Sequence, residues 1–140
     1  MLVYHGTSTA YANAIAAGGI QVALGGGEFG MGFYTGEHLH VARTWAFHTN
    51  SRNDAKVVEL DIDENDFVSM NPLILDGREA VAYRNNIRSS GTTRTYLFYH
   101  NVVWGRIVGT EKIHSDQFKW ESRSAEIFLN GVKVARQIVK

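Results

Sequence analysis

A dense cluster of glycines near the N-terminus is the feature that most restricts how this chain can fold. Five of its 14 glycines lie between residues 25 and 32, whereas the 140-residue sequence contains a single proline, Pro72. Glycine lacks a Cβ, so it permits tight turns and close contacts between backbone segments. Abundant glycine with so little proline indicates such turns and contacts rather than a flexible linker. Residues 25–32, named the glycine loop, are therefore predicted to bring their backbone close to a ligand, with a plain surface loop as the alternative.

The glycine loop also contains the pattern G-x-G-x-x-G, at Gly25, Gly27 and Gly30. In dinucleotide-binding folds this pattern connects a strand to the N-terminus of a helix that holds the pyrophosphate. Here the residues that follow, Phe33 and Tyr34, are typical of a short strand. No acidic residue ends a second strand about 20 residues further on, as that motif requires. The context therefore disfavours a Rossmann site.

Length and composition indicate one ordinary globular domain over residues 1–140. The 14 basic and 14 acidic residues balance, so a strongly basic nucleic-acid binder is not indicated. The absence of cysteine excludes a disulfide scaffold, a thiolate zinc site and a cysteine nucleophile. No apolar run approaches the roughly 20 residues of a membrane span, and the N-terminus lacks the pattern of a signal peptide. We therefore expect a cytoplasmic protein with no membrane partner.

Residue periodicity predicts alternating helices and strands, hence an α+β fold with a mainly antiparallel sheet. Helices are expected at 10–17, from Thr35 or Gly36 to about residue 48, and at 78–88; strands are expected at 2–5, 33–35, 56–62 and within 96–108. At the C-terminus, Asn130-Gly131 separates two apolar runs. This dipeptide favours a type I′ turn, so residues 126–129 and 132–135 are predicted to form a β-hairpin.

Metal and serine chemistry find little support in the sequence. None of the six histidines, among them His38 and His40, has the i, i+4 spacing of a helical zinc pair, and no H-E-x-x-H motif exists. The G-x-S-x-G motif of serine hydrolases is also missing. No metal site is predicted.

A different set of residues carries a recognisable pattern. His5 lies in Tyr4-His5-Gly6-Thr7-Ser8, and Tyr34 follows the glycine loop. A predicted helix with Trp45 comes next, and Glu126 opens the predicted hairpin. This pattern resembles the His-Tyr-Glu branch of the ADP-ribosyltransferase superfamily, which includes the poly(ADP-ribose) polymerases, diphtheria-like toxins and many small bacterial toxins. The resemblance covers the first third and the end of the chain, and residues 50–115 add little to it.

The resemblance implies a split antiparallel sheet with a few flanking helices, and NAD as the substrate. His5 would bind the adenosine ribose, and the backbone of Gly6 would bind the nicotinamide carboxamide. Tyr34 would stack on the nicotinamide, and Trp45, eleven residues later, would form the opposite wall. Glu126 would bind the 2′-hydroxyl of the reacting ribose and stabilise the developing positive charge. The implied NAD-binding residues are His5, Gly6, Thr7, Gly30, Gly32, Tyr34 and Trp45; the implied catalytic residues are His5, Tyr34 and Glu126.

The sequence departs from the family pattern at two points. Ala42 stands where relatives often have a serine that binds the carboxamide. Gln117, just before Phe118-Lys119-Trp120, is an alternative third catalytic residue, because some small bacterial relatives have a glutamine before such a strand. If Gln117 takes that position, residues 124–129 are expected to be helical instead of extended.

By resemblance, the expected activity is transfer of ADP-ribose from NAD to a macromolecular acceptor, either protein or nucleic acid. A small bacterial toxin or effector is one such role, and it would have a neutralising antitoxin or immunity protein. The alternatives are a non-catalytic module that binds NAD or ADP-ribose, and an NAD glycohydrolase. A basic stretch with Arg84, Arg88 and Arg94 is either a contact surface for an anionic acceptor or a solvated face.

Overall fold

A computed structural model describes residues 1–109 and 114–139. In these residues there are seven strands and five α-helices. The strands are β1 (Leu2–Ser8), β2 (Phe33–Gly36), β3 (Ala55–Asp61), β4 (Leu73–Ile74), β5 (Val102–Arg106), β6 (Asp116–Trp120) and β7 (Ala135–Val139). The helices are α1 (Thr9–Ala16), α2 (Leu39–Thr49), α3 (Glu64–Ser69), α4 (Gly77–Ser89) and α5 (Arg123–Asn130), and a short 3-10 turn covers Val22–Leu24.

All seven strands belong to one sheet, in the order β4-β5-β6-β2-β1-β3-β7. Five of the six strand pairs are antiparallel, and only β4 and β5 run parallel. The α+β class and the mainly antiparallel sheet predicted from the sequence are therefore confirmed.

Both faces of the sheet are covered by helices. On one face, apolar side chains of α1, α3 and α5 pack with β1, β3 and β6 in the main core, which contains Ala12, Ile15, Phe67, Ala125, Leu129, Val3, Val58, Leu60, Phe118 and Trp120. The other face carries α2, whose Ala42 and Ala46 pack on Val57 of β3. It also carries α4 and the glycine loop, whose Phe29 is fully buried with Ala80 of α4. Strand residues alternate between these two faces.

Helix α1 covers most of the predicted range 10–17 and is bounded by local signals at both ends. Ser8 is its N-cap, and the Ser8 hydroxyl accepts a hydrogen bond from the Tyr11 amide at 3.4 Å. Gly18 follows the helix with a φ of 87°, the left-handed conformation that favours glycine at a helix end. Helix α4 is capped by Asp76 and Glu79 in a reciprocal capping box.

Helix α2 begins later than predicted. Thr35 and Gly36 belong to β2 and pair with Phe118 and Gln117 of β6, so neither residue caps the helix. The N-cap is His38. Glu37 lies before the helix, and its carboxylate accepts a hydrogen bond from the Asp116 amide at 2.9 Å.

The predicted C-terminal hairpin is wrong. Residues 123–130 form α5, because the Ser122 hydroxyl accepts from the Ala125 amide and because Ala125 and Leu129 share one buried helical face. Gly131 has a φ of −82°, whereas a type I′ turn needs positive φ. Strand β7 starts at Ala135 and pairs with β3 instead.

Two further boundaries differ from the sequence-based ones. Strand β1 continues through Gly6 to Ser8, so Gly6 does not end it. Of residues 96–108, only Val102–Arg106 are a strand. Within the described ranges, no helix has both the length and the apolar character needed to cross a membrane.

Candidate functional site

The two central strands, β1 and β2, separate soon after they meet. Strand β1 pairs with β3 along its whole length, from Leu2–Asp61 to Ser8–Ala55. By contrast, its pairing with β2 is limited to Tyr4–Gly36. Beyond that pair, the edge of β1 that faces β2 is outside the hydrogen-bonded ladder. The sheet is thus split next to His5 and Gly6.

His5 bridges this split. Its Nδ1 lies 2.6 Å from the carbonyl oxygen of Tyr34, and its ring stacks on Phe33 with 4.3 Å between centroids. A carbonyl can only accept, so Nδ1 carries the proton and Nε2 is left as an acceptor. Burial lowers the pKa of His5, which favours this neutral form, although the hydrogen bond to Tyr34 opposes the shift. The His5 ring is therefore joined to the backbone of Tyr34, while the Tyr34 side chain lies on the opposite face of the sheet from Phe33 and packs with Phe29.

Gly6 lies directly under α2. A Cβ built on Gly6 would be 2.2 Å from the Ala42 carbonyl oxygen and 3.1 Å from the Ala46 Cβ. Close packing of helix on strand thus requires glycine here. Ala42 takes part in this contact through its backbone carbonyl. It thus lies next to Gly6, whose own backbone is expected, by resemblance, to bind the nicotinamide carboxamide.

Tyr34 anchors the glycine loop through its hydroxyl group. This group accepts from the Phe29 amide at 3.0 Å and donates to the Gly30 carbonyl at 2.6 Å. Burial raises the pKa of Tyr34, so the phenol stays protonated. Gly27 lies against the ring, since a Cβ at Gly27 would be 2.8 Å from the Tyr34 Cζ. One ring face of Tyr34 is therefore covered by the loop.

The glycine loop is held in place by the segment that follows α4. The Gly27 amide donates to the Thr93 carbonyl and the Met31 amide to the Tyr96 carbonyl, at 3.0 and 3.1 Å. Gly30 has a φ of 92°, and a Cβ there would be 2.3 Å from the Tyr96 carbonyl oxygen. The glycine loop thus contacts protein backbone. Residues 92–96, which belong to the region that adds little to the family resemblance, support this loop.

Gly32 is also required for packing, since a Cβ on it would be 2.8 Å from the Cγ of Lys119. The contacts of Gly30 and Gly32 are thus with the protein itself.

Thr7 is in β1 opposite Lys56 of β3. Trp45 is on α2, three residues after Ala42, with 60% of its surface exposed. In the described part of the chain, no ring contact joins Trp45 to Tyr34.

Gln117 lies on the same face of the sheet as Tyr34. In β6 it is opposite Gly36 of β2 and Gly105 of β5, while Tyr34 is opposite Lys119, two residues along β6. Diagonal neighbours of this kind are about 7–8 Å apart. Gln117 is only 7% exposed, and its Nε2 donates to Glu28 Oε1 at 2.9 Å and to the Arg106 carbonyl at 3.3 Å.

Glu126 is in the first turn of α5 rather than at the start of a strand. Its Oε1 accepts from the Val22 amide at 3.0 Å, and its Oε2 is 3.4 Å from Arg123 Nη1. Among the described residues, neither hydrogen bonds nor ion pairs connect Glu126 to His5 or Tyr34. The structure gives this carboxylate a local role, in which it links α5 to the 3-10 turn.

Three further polar groups near the site were missed by sequence reasoning. Lys119 and Glu121 form an ion pair, and the Lys119 side chain is fully buried. Burial lowers the pKa of Lys119, opposed by its contact with Glu121. Glu121 also accepts from the amides of Phe98, Tyr99 and His100. The third group is Glu28, the acidic residue of the glycine loop. This position was the one sequence feature that could have pointed to it.

The arginines of the basic stretch have different partners. Arg94 Nη2 donates to the Leu24 carbonyl at 2.8 Å, next to the glycine loop. Arg84 Nε is 3.8 Å from Glu28 Oε2. Both therefore support the loop. The role of Arg88 in acceptor contact stays a prediction.

Two cavities of the described residues lie away from the split. One, of about 490 Å³, includes Asn71, Tyr99, His100 and Glu121 in its lining, and the other, of about 380 Å³, is between Gly77 and Arg106. In the residues that the structure describes, no group of three or more His, Asp or Glu side chains is arranged to hold a metal ion.

Comparison of the chain with models of protein families and with curated proteins finds no match.

Proposed function

We propose that this protein is an enzyme that binds NAD and cleaves its nicotinamide–ribose bond, with a domain of the ADP-ribosyltransferase type. The observation that carries the proposal is the contact of His5 with Tyr34 where two central antiparallel strands separate, with Gln117 on the adjoining strand. His5 and Tyr34 both belong to the sequence pattern that resembles the ADP-ribosyltransferase superfamily. Their meeting at a split in the sheet supports that resemblance.

In this proposal, His5 contributes to NAD binding through its Nε2 atom. Because Nδ1 donates to Tyr34, the Nε2 atom accepts a hydrogen bond from a ribose hydroxyl. The backbone of Gly6 is beside the split and provides hydrogen bonds for the nicotinamide carboxamide. Trp45, exposed on the helix above Gly6, provides an aromatic surface for the nicotinamide ring.

Gln117 takes the third position in this proposal, rather than Glu126. Two observations favour it: residues 123–130 are helical, and Gln117 shares a sheet face with Tyr34. Its amide carbonyl would accept a hydrogen bond from the 2′-hydroxyl of the reacting ribose. Since an amide is uncharged, it stabilises the positive charge that develops on the ribose less than a carboxylate would.

The reaction proceeds by loss of nicotinamide, which takes the electron pair of the glycosidic bond and leaves an oxocarbenium-like ribose. A nucleophilic atom of the acceptor then bonds to C1′ and gives up its proton. We propose a macromolecular acceptor, protein or nucleic acid, and the role of a bacterial toxin or effector with a neutralising partner. The role as a toxin is by analogy with small members of the superfamily.

The experiment that tests the proposal measures nicotinamide release from NAD by the purified protein. Gln117→Ala is compared with Glu126→Gln, which keeps the acceptor for the Val22 amide. We expect Gln117→Ala to lower release about 100-fold or more, and Glu126→Gln to leave it within about threefold. Release that survives Gln117→Ala but is lost in a folded Glu126→Gln variant would contradict the assignment.

The acceptor is sought with NAD labelled on the adenosine side, incubated with the protein and a cell lysate. Label that appears on protein or nucleic acid, and is lost in Gln117→Ala, supports the transferase. Release of nicotinamide without any labelled acceptor would instead indicate a glycohydrolase.

A binding module is the second candidate, favoured by Ala42 and by the uncharged Gln117. It predicts thermal stabilisation by NAD with no product. At an NAD concentration 100-fold above Kd, stabilisation would be about 2.7 kcal/mol. Stabilisation without any release of nicotinamide over many hours would favour this candidate.

A further inference from the structure

The orientation of the Gln117 amide is determined by its two acceptors. Its NH₂ group donates to Glu28 Oε1 and to the Arg106 carbonyl. If the amide were rotated by half a turn, its Oε1 would face a carboxylate and a carbonyl, which are both acceptors. The carbonyl of Gln117 therefore points away from Glu28 and Arg106.

Glu28 is itself held firmly. Its Oε1 accepts from the Val108 amide at 2.8 Å and its Oε2 from the Gly109 amide at 2.7 Å, in addition to the nearby Arg84. The next residue, Phe29, is fully buried. The side chain of Glu28 is 24% exposed, so its charge is partly shielded from water. This carboxylate is thus a fixed negative charge behind Gln117.

Gln117 is buried between two glycines of the neighbouring strands. Its neighbours on the two adjacent strands, Gly36 and Gly105, have no side chains. A Cβ on Gly36 would make an ordinary van der Waals contact, with the Asp116 carbonyl oxygen 3.7 Å away. A Cβ on Gly105 would meet the Phe29 ring at 3.0 Å, so that side is closed. The less crowded side is therefore toward β2, the strand of Tyr34.

We infer that Glu28 is a positioning residue that directs the carbonyl of Gln117 toward the ribose 2′-hydroxyl of NAD and increases its negative charge. The inference rests on the proposed function and deepens it. A hydrogen bond from an amide to a carboxylate is charge-assisted, and it polarises the amide so that its oxygen becomes a better acceptor. The pair Glu28–Gln117 thereby supplies part of the electrostatic effect that a single carboxylate provides in the family.

A purely structural role for Glu28 predicts something different. Its bonds to Val108 and Gly109 alone would stabilise the loop after β5, whatever residue is at position 117. A double-mutant cycle separates the two roles, since coupling is expected only if Glu28 acts through Gln117. The cycle consists of wild type, Glu28→Gln, Gln117→Ala and the double variant.

Steady-state nicotinamide release is measured for all four proteins, after thermal unfolding has shown that each is folded. We expect Glu28→Gln to lower kcat about 10-fold to 100-fold, by analogy with the loss of partners that orient metal ligands. KM for NAD should change less than threefold. In the Gln117→Ala background, the same change should lower release less than twofold.

The chain offers a matched control for this substitution. Glu59 accepts from Gln137 Nε2 at 2.9 Å in an exposed carboxylate–amide pair between β3 and β7. Glu59→Gln should leave kcat within twofold of wild type. An equal loss of kcat for Glu28→Gln in both backgrounds, or no loss in the wild-type background, would overturn the inference while the proposed function stands.

Failure of the proposed function gives a different result, because the wild-type protein would then release no nicotinamide and would show no stabilisation by NAD. The inference would fall with it. The orientation of the amide has its own readout in the side-chain NH₂ signals of ¹⁵N-labelled protein, assigned by their loss in Gln117→Ala. These signals should shift in Glu28→Gln and stay in place in Glu59→Gln. Unchanged Gln117 signals in Glu28→Gln would contradict the contact on which the inference depends.

Discussion

The contact between Gly6 and α2 makes the effect of a single methyl group predictable. In Gly6→Ala, the new Cβ would be 2.2 Å from the Ala42 carbonyl oxygen, whereas ordinary contacts begin near 3.4 Å. The obstacle is helix backbone, which cannot rotate away as a side chain does. Helix α2 must therefore move outward by about 1 Å, and the packing of Ala42 and Ala46 on Val57 must loosen.

The expected loss is about 1–3 kcal/mol of the free energy of unfolding, the range for overpacking a well-packed site. In a chain of 140 residues, 1 kcal/mol lowers Tm by about 3–4 °C. Gly6→Ala should thus lower Tm by about 3–12 °C. Because α2 also carries Trp45, stabilisation by NAD should decrease in the same variant.

Thermal and urea unfolding measure the effect, with Gly36→Ala as the control. A Cβ on Gly36 would be 3.7 Å from its nearest neighbour, the Asp116 carbonyl oxygen. We expect the Tm of Gly36→Ala to stay within about 2 °C of wild type. A Gly6→Ala protein with the wild-type Tm would refute the argument that α2 rests on Gly6.

Three other perturbations test the packing around the site. Lys119→Met leaves Glu121 buried without its cation, so it should lower the free energy of unfolding by about 3–5 kcal/mol in urea; a loss below about 1 kcal/mol would contradict the ion pair. Burial lowers the pKa of His5, so the unfolded chain takes up a proton first as pH falls below 6.5. The free energy of unfolding should then decrease toward lower pH by at most about 1.4 kcal/mol per pH unit. His5→Gln should flatten the pH dependence of the free energy of unfolding. His48→Gln, at an exposed position of α2, should change it less. Equal slopes in wild type and both variants would contradict the assignment of this dependence to His5. Ser122→Ala removes the N-cap of α5 and should lower the free energy of unfolding by about 1 kcal/mol. Ser122→Thr, which keeps a hydroxyl for the Ala125 amide and for Asn101, should restore most of it. An unchanged Tm in Ser122→Ala would show that this cap contributes nothing.

Local patterns predicted most of the elements correctly. The alternation of Val58, Leu60 and Ile62 indicated β3, and the helix predicted at 10–17 is observed as α1, Thr9–Ala16. These predictions succeed because the periodicity of a strand and the capping of a helix are both set by residues close in sequence. The α+β class followed from the same patterns.

The C-terminal segment shows where local reasoning fails. Asn130-Gly131 favours a hairpin in isolation, but both polar groups of the Asn130 side chain bind the backbone of Ile20, more than a hundred residues away. With that contact, and with Ala125 and Leu129 buried in the main core, the segment is a helix. Tertiary contacts thus override the preference of a dipeptide.

The sequence by itself determined which residues could form the site: His5 next to Gly6, Tyr34 after the glycine loop, and Gln117 or Glu126 as alternatives. Only the tertiary structure decided their surroundings. Strand pairing puts Gln117 beside Gly36 and on the face of Tyr34, and helix formation turns Glu126 toward Val22. The sequence could not show that Glu28 contacts Gln117, because 88 residues lie between them. Their contact of 2.9 Å depends on the register of the sheet, which no local pattern reveals.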